Sequence, residues 1–232
     1  MKNKSLNCKS KLYYNFTWLI KLIMLLPAAI YYCCKRIIID FSNKYFEIVS
    51  IILFVISFVW IMILFVLDFC ATKKRKKIYD SAVIKEDYIE AKNELLKLLK
   101  IPMSRSTYLS ILFTISLIDI RRMNFEDSKK SLINLKEVNK YYCAGIYFDF
   151  LSNYYILLIQ IYHNEHDDLA IREFLDKYEN VKIRDRQLLS FLSGIKYFIE
   201  KNYDSFVKCI LSQNTNNAFL LALADRYSNN IL

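Results

Sequence analysis

Ile48 to Leu67 form an unbroken apolar run, IVSIILFVISFVWIMILFVL, with no charged residue. A helix of that length rises about 30 Å, the thickness of a bilayer's hydrocarbon core. Asp68 and Cys70 follow, and then five consecutive cations, Lys73, Lys74, Arg75, Lys76 and Lys77. Lys and Arg resist translocation, so such a cluster marks the cytoplasmic end of a span. The pattern predicts a transmembrane helix over 48–70, a basic juxtamembrane linker over 71–77 and a cytosolic domain over 78–232.

Charge placement supports this division. Residues 1–77 hold 13 Lys/Arg against 3 Asp/Glu, whereas residues 78–232 hold 20 of each. The whole net charge of +10 therefore sits beside the apolar segments. A nucleic-acid-binding domain needs a basic face of its own. The observed placement argues against a nucleic-acid partner and for a topology determinant that also attracts anionic lipid head groups.

A second apolar stretch precedes the first. Residues 1–11 carry Lys2, Lys4, Lys9 and Lys11 and no acid, which makes them a basic cytoplasmic flank. Residues 12–34, LYYNFTWLIKLIMLLPAAIYYCC, have Tyr13, Tyr14 and Trp18 at one end and Tyr31 and Tyr32 at the other, like interfacial aromatic belts. A cleaved signal peptide is the rival reading, but bulky residues follow Ala28 and Ala29 directly. With 35–47 as a short external loop, the expectation is a two-span hairpin in the cell membrane with both termini cytoplasmic. Lys21 and Asp68 then lie at similar depth, and because intramembrane charges find partners, they are expected to pair.

The chain has only 2 Gly and 2 Pro. That scarcity argues against many tight turns and for an all-α fold. Apolar stripes at helical spacing, with polar caps between them, predict helices over 86–100, 104–122, 124–137, 143–162, 167–178, 185–200, 203–211 and 217–227. Short connections predict antiparallel α-hairpins. The six cysteines include no C-x-x-C pair and read as reduced, buried thiols. Abundant Ile, Lys, Asn and Tyr suit an A/T-rich, bacterial genome.

Every second helix opens on a recurring phrase, an aromatic followed three residues later by a small or apolar residue. The copies are Tyr88–Ala91, Phe125–Ser128, His166–Leu169 (His in place of the aromatic) and Tyr203–Phe206. Their starts are 37, 41 and 37 residues apart. Residues 82–212 thereby resemble tetratricopeptide-like helical repeats, each a helix–turn–helix unit of about 34 residues. In the last copy Gly194, Tyr197, Tyr203 and Ile210 stand in register. Glu86, Met123, Asn164 and Lys201 occupy the positions of the repeat's turn glycine. The resemblance implies stacked hairpins closed by a terminal helix, here 217–227.

Catalytic patterns are scarce. Gly145 and Gly194 are the only glycines, so neither a phosphate-binding G-x-G loop nor a nucleophile elbow is present. His163, Glu165, His166, Asp167 and Asp168 are the densest group of ligand-type side chains, and they read as a polar cap and turn. No enzyme, metal or cofactor is expected. Tyr141, Tyr142, Tyr147, Tyr154 and Tyr155 crowd one helical region, and one helix face cannot bury them all, so they are the candidate lining of a peptide groove. The expected role is a membrane-anchored protein- or peptide-binding module, of scaffold, accessory or immunity type, displayed at the cytoplasmic face. The alternative is a structural subunit of a membrane transport or secretion complex, acting through its transmembrane hairpin.

Overall fold

The computed structural model describes residues 43–101, 103–142, 146–179, 186–213 and 217–228. Among the described residues there are nine helices and no strand. They are α1 (Asn43–Lys85), α2 (Tyr88–Leu98), α3 (Arg105–Arg121), α4 (Phe125–Tyr142), α5 (Ile146–His163), α6 (Asp168–Glu179), α7 (Arg186–Ile199), α8 (Tyr203–Gln213) and α9 (Ala218–Ser228). The chain divides into two compact units at 111/112. The first 42 residues, with the expected first span and Lys21, lie outside the described residues.

In the first unit, α1 is one helix of 43 residues. Ile51, Phe54, Phe58 and Phe65 are exposed together with most of their neighbours, so its apolar run faces outward around nearly the whole circumference. Phe54–Lys85 is long and apolar enough to cross a membrane. Further along, the same helix becomes one-sided. Leu64, Ala71, Ile78 and Ala82 are buried at helical spacing, and the end of α1 packs against Ala91, Leu95 and Leu98 of α2. Residues 71–77, expected to be a linker, are therefore helical and belong to a folded element. Asn43–Glu47, expected to close the external loop, are helical as well.

Sharp turns join α1 to α2, α3 to α4, α5 to α6 and α7 to α8. Each contains a non-glycine residue in the left-handed region: Glu86, Met123, Asn164 and Lys201, with φ between 57° and 58°. In the last three turns this residue's N–H returns to the carbonyl three back, and the next N–H to the carbonyl five before it, as in Asn124 to Asp119. This is the Schellman closure, which satisfies helix-end carbonyls that otherwise lack donors. Asp87, Asn124, Asp167 and Asn202 then accept the first free amides of the following helices.

An L side chain in this conformation costs about 1–2 kcal/mol, and glycine avoids that at a cost of roughly 0.4–1 kcal/mol in the unfolded chain. Met123→Gly is therefore expected to stabilise the fold by about 0.5–1 kcal/mol. A higher urea midpoint at unchanged slope is the reading; a lower midpoint would show that the Met123 side chain contributes packing.

The second unit is built around aromatic residues. Phe150, Tyr154, Phe174, Tyr178 and Phe191 form one continuous buried cluster between α5, α6 and α7. At Gly194 on α7 a Cβ would lie 3.3 Å from Cβ of Cys209 on α8, so the missing side chain sets how closely these helices approach. The last helix, α9, turns back on α5. Phe219 packs against Tyr162 and Phe125, Arg226 donates to the Tyr162 carbonyl, and the Tyr227 hydroxyl donates to the Ile161 carbonyl at 3.2 Å.

Candidate functional site

Between α5 and α6 lies a groove of about 230 Å³. It exists because large rings separate the two helices: Phe150 meets Phe174 at 5.5 Å and Tyr178 at 4.9 Å between ring centroids. Ile156, Leu157, Ala170 and Phe174 form its apolar floor. Asn153, Gln160, Glu173, Lys177 and Tyr178 complete its lining. Apolar floors with a few placed polar groups are the usual chemistry of binding clefts.

Asn153, Lys177 and Tyr178 are fixed by a network spanning three helices. The Tyr178 hydroxyl donates to Asp149 Oδ2 at 2.7 Å, and Lys177 reaches the same oxygen at 2.5 Å. Asn153 Nδ2 donates to the Asp149 carbonyl and the Tyr178 hydroxyl, while Lys136 on α4 donates to Asn153 Oδ1 at 2.6 Å. Burial by itself pushes the Asp149 carboxyl up. The hydrogen bonds from Lys177 and Tyr178 and the charges of Lys177 and Lys136 outweigh it and hold the group below its ordinary value. Burial first, and then the bond to Asp149, push the Tyr178 phenol up, so it remains a donor at neutral pH.

A depressed carboxyl stabilises the fold above its unfolded value and loses that contribution as pH falls through its folded value. The wild type's resistance to urea should thus fall as pH drops below the ordinary carboxylate value near 3.8. Asp149→Asn should be less stable at neutral pH and show less of this acid loss. Parallel pH profiles for the two proteins would refute the assignment.

The tyrosines expected to line a groove divide between core and surface. Tyr154 is fully buried, with its hydroxyl bonded to the Gln213 side chain, and Tyr155 is buried against Phe113. Both belong to the core, because α5 packs against α4, α6 and α7 and leaves these positions no solvent face. Tyr147 is 44% exposed. Tyr141 and Tyr142 close α4, and their side chains lie outside the described residues. The α5–α6 groove is lined instead by Asn153, Gln160, Glu173 and Lys177, ordinary polar residues that gave no sequence signal.

The HNEHDD turn serves structural ends. Asp167 caps α6, Glu165 pairs with Lys129 at 3.2 Å, His163 meets the Phe125 ring and His166 the Phe198 ring. Cys209 is half-buried and burial pushes its thiol up, whereas Cys70, expected to be buried, is exposed on α1.

At the basic cluster, Lys73, Lys74, Lys76 and Lys77 are exposed, Arg75 is half-buried, and Lys73 lies over the Phe69 ring. Asp68 acquires a partner distant in sequence. Its Oδ1 accepts the Ser104 N–H at 2.6 Å, just before α3, and Thr72 meets Thr107 at 3.2 Å beside it. Asp68→Ala should cost about 1 kcal/mol through this lost cap. Asp68→Asn keeps an acceptor and should be nearly neutral in the same thermal-unfolding assay. A pair with Lys21 would instead make Asn as harmful as Ala.

No protein-family profile matches this sequence, and no curated protein or solved structure is significantly similar to it.

Proposed function

We propose that this chain is a membrane-anchored protein- or peptide-binding module, with a helical-repeat array presented at the cytoplasmic face of a bacterial cell membrane. The observation that carries the reading is α1. One unbroken helix is apolar around its circumference over the length of a bilayer core, then turns one-sided and packs into the folded chain. Such a circumference suits lipid, and the adjoining lysines suit a cytoplasmic boundary. A first span over 12–34 would complete a hairpin with both termini inside, with Lys21 facing the cytoplasmic end near Asp68.

Two features support the repeat and the binding role. The left-handed turns fall at Glu86, Met123, Asn164 and Lys201, the turn positions of the repeat register, again 37, 41 and 37 residues apart. The α5–α6 groove offers an apolar floor with polar groups of both charges, suited to a peptide segment.

A photo-crosslinking residue at position 170 tests the groove, with position 221 on α9 as control. A discrete protein adduct from 170 alone, abolished by Glu173→Arg, supports the module. Equal adducts from both positions, or none from 170, sink it. Replacing residues 48–67 with an unrelated span separates the alternative. The adduct persists if the array binds the partner; it disappears, with the array still folded, if the span is the working surface of a membrane complex.

A further inference from the structure

The antiparallel packing of α1 and α2 brings two distant basic segments to one level. Ser104 touches Asp68, the first residue after the apolar run, so the α2–α3 connection returns to the end of that run. Lys97 and Lys100, which are exposed, therefore lie alongside the stretch of α1 that carries Lys73, Lys74, Lys76 and Lys77. Sequence distance hides this, since 19 residues separate Lys77 from Lys97.

Charge is segregated along the resulting hairpin. The half next to the apolar run, residues 68–77 and 95–104, carries a net charge of +6. The far half, residues 78–94, carries −3 despite Lys85 and Lys92, because Asp80, Glu86, Asp87, Glu90 and Glu94 gather there. Asp68, the one acid in the basic half, has its carboxylate engaged by the Ser104 amide. Axial distances match a bilayer surface. The head-group layer is roughly 5–8 Å deep, and Lys73 lies about 9 Å beyond Leu67 along the helix, within reach of a lysine stem that snorkels. Lys77, about 15 Å beyond, still lies within about one screening length of that layer.

We propose that Lys97 and Lys100 join Lys73, Lys74, Lys76 and Lys77 in one two-helix cationic collar that binds the phosphates of anionic phospholipids. The proposal rests on the reading of α1 as a span. The collar seats the α2–α3 connection on the membrane surface and turns the acidic end of the α1–α2 hairpin away from it. Binding is electrostatic, so it weakens with salt and does not require a particular acyl chain.

The test uses the full chain in lipid nanodiscs with two photoreactive phosphatidylglycerols, one labelled in the acyl chain and one in the head group. Acyl-chain label on 48–67, with head-group label on both 73–77 and 97–101, is the expected map. Head-group label on 73–77 alone overturns the collar and leaves the span standing. Absence of acyl-chain label from 48–67 overturns the span and the collar with it. Lys97→Gln with Lys100→Gln, both at the surface, should lower the preference for phosphatidylglycerol over phosphatidylcholine by about fivefold per lysine removed. An unchanged preference in that variant also overturns the proposal.

Discussion

Phe150→Ala is expected to destabilise the second unit by about 3–5 kcal/mol, the cost of truncating a fully buried aromatic. Phe150 has no exposed surface and touches Tyr154, Phe174, Tyr178 and Phe191, with ring centroids 4.9 to 6.4 Å away. Its removal leaves a void that four rings on three helices line, and rigid rings close poorly around a gap. For a domain of this size the loss corresponds to a midpoint roughly 10–20 °C lower. The same rings hold α5 and α6 in place, so loosening them should also disturb the groove. Circular dichroism during heating checks the first effect and adduct yield at position 170 the second. A midpoint within about 3 °C of wild type, under 1 kcal/mol, would show that Phe150 does not anchor this core.

Gly194→Leu should cost about 2–3 kcal/mol. A Cβ at position 194 already lies 3.3 Å from the Cys209 Cβ, and leucine adds three more carbons at this α7–α8 contact. Overpacking of this kind forces helices apart. Gly194→Ala is the informative companion. It gains about 1 kcal/mol of helix propensity and requires Cys209 to shift by only a few tenths of an ångström, so its net effect should be small. Ala and Leu have similar propensities, so the difference between the two variants reports packing alone. Chemical denaturation of both measures it; equal stabilities would mean that α7 and α8 do not rely on this contact.

Helix boundaries were legible because their determinants are local. Asn124 stands directly before apolar periodicity, and α2, α4, α6 and α8 begin at Tyr88, Phe125, Asp168 and Tyr203, within two residues of the starts expected at 86, 124, 167 and 203. The continuity of α1 through Lys73–Lys77 was not legible, because a charge run looks like a boundary in sequence while lysine and arginine are good helix formers. Tyr154 and Tyr155 were misplaced for a related reason. Counting aromatics on one helix ignores how many neighbouring helices can cover it, and α5 is flanked on several sides. The Asp149–Tyr178 and Asp68–Ser104 bonds join residues 29 and 36 positions apart, a separation that no spacing rule reaches. The groove followed the same logic, since its polar residues acquire meaning only after two helices are held apart.

The unbroken α1 has a mechanical consequence. On the proposed reading of α1 as a membrane span, a flexible tether would let the folded part of the first unit tumble independently of the span; a continuous rod would couple the two as a lever. Eighteen residues separate Leu67 from Lys85, so about 27 Å of helix projects beyond the apolar run. A tilt of 20°, ordinary for a membrane span, would swing the far end sideways by about 9 Å. With α1 as the proposed span, any change in bilayer thickness that alters that tilt would be converted into displacement of the α1–α2 turn, with Asp68 and Thr72 keeping the start of α3 geared to the same shaft.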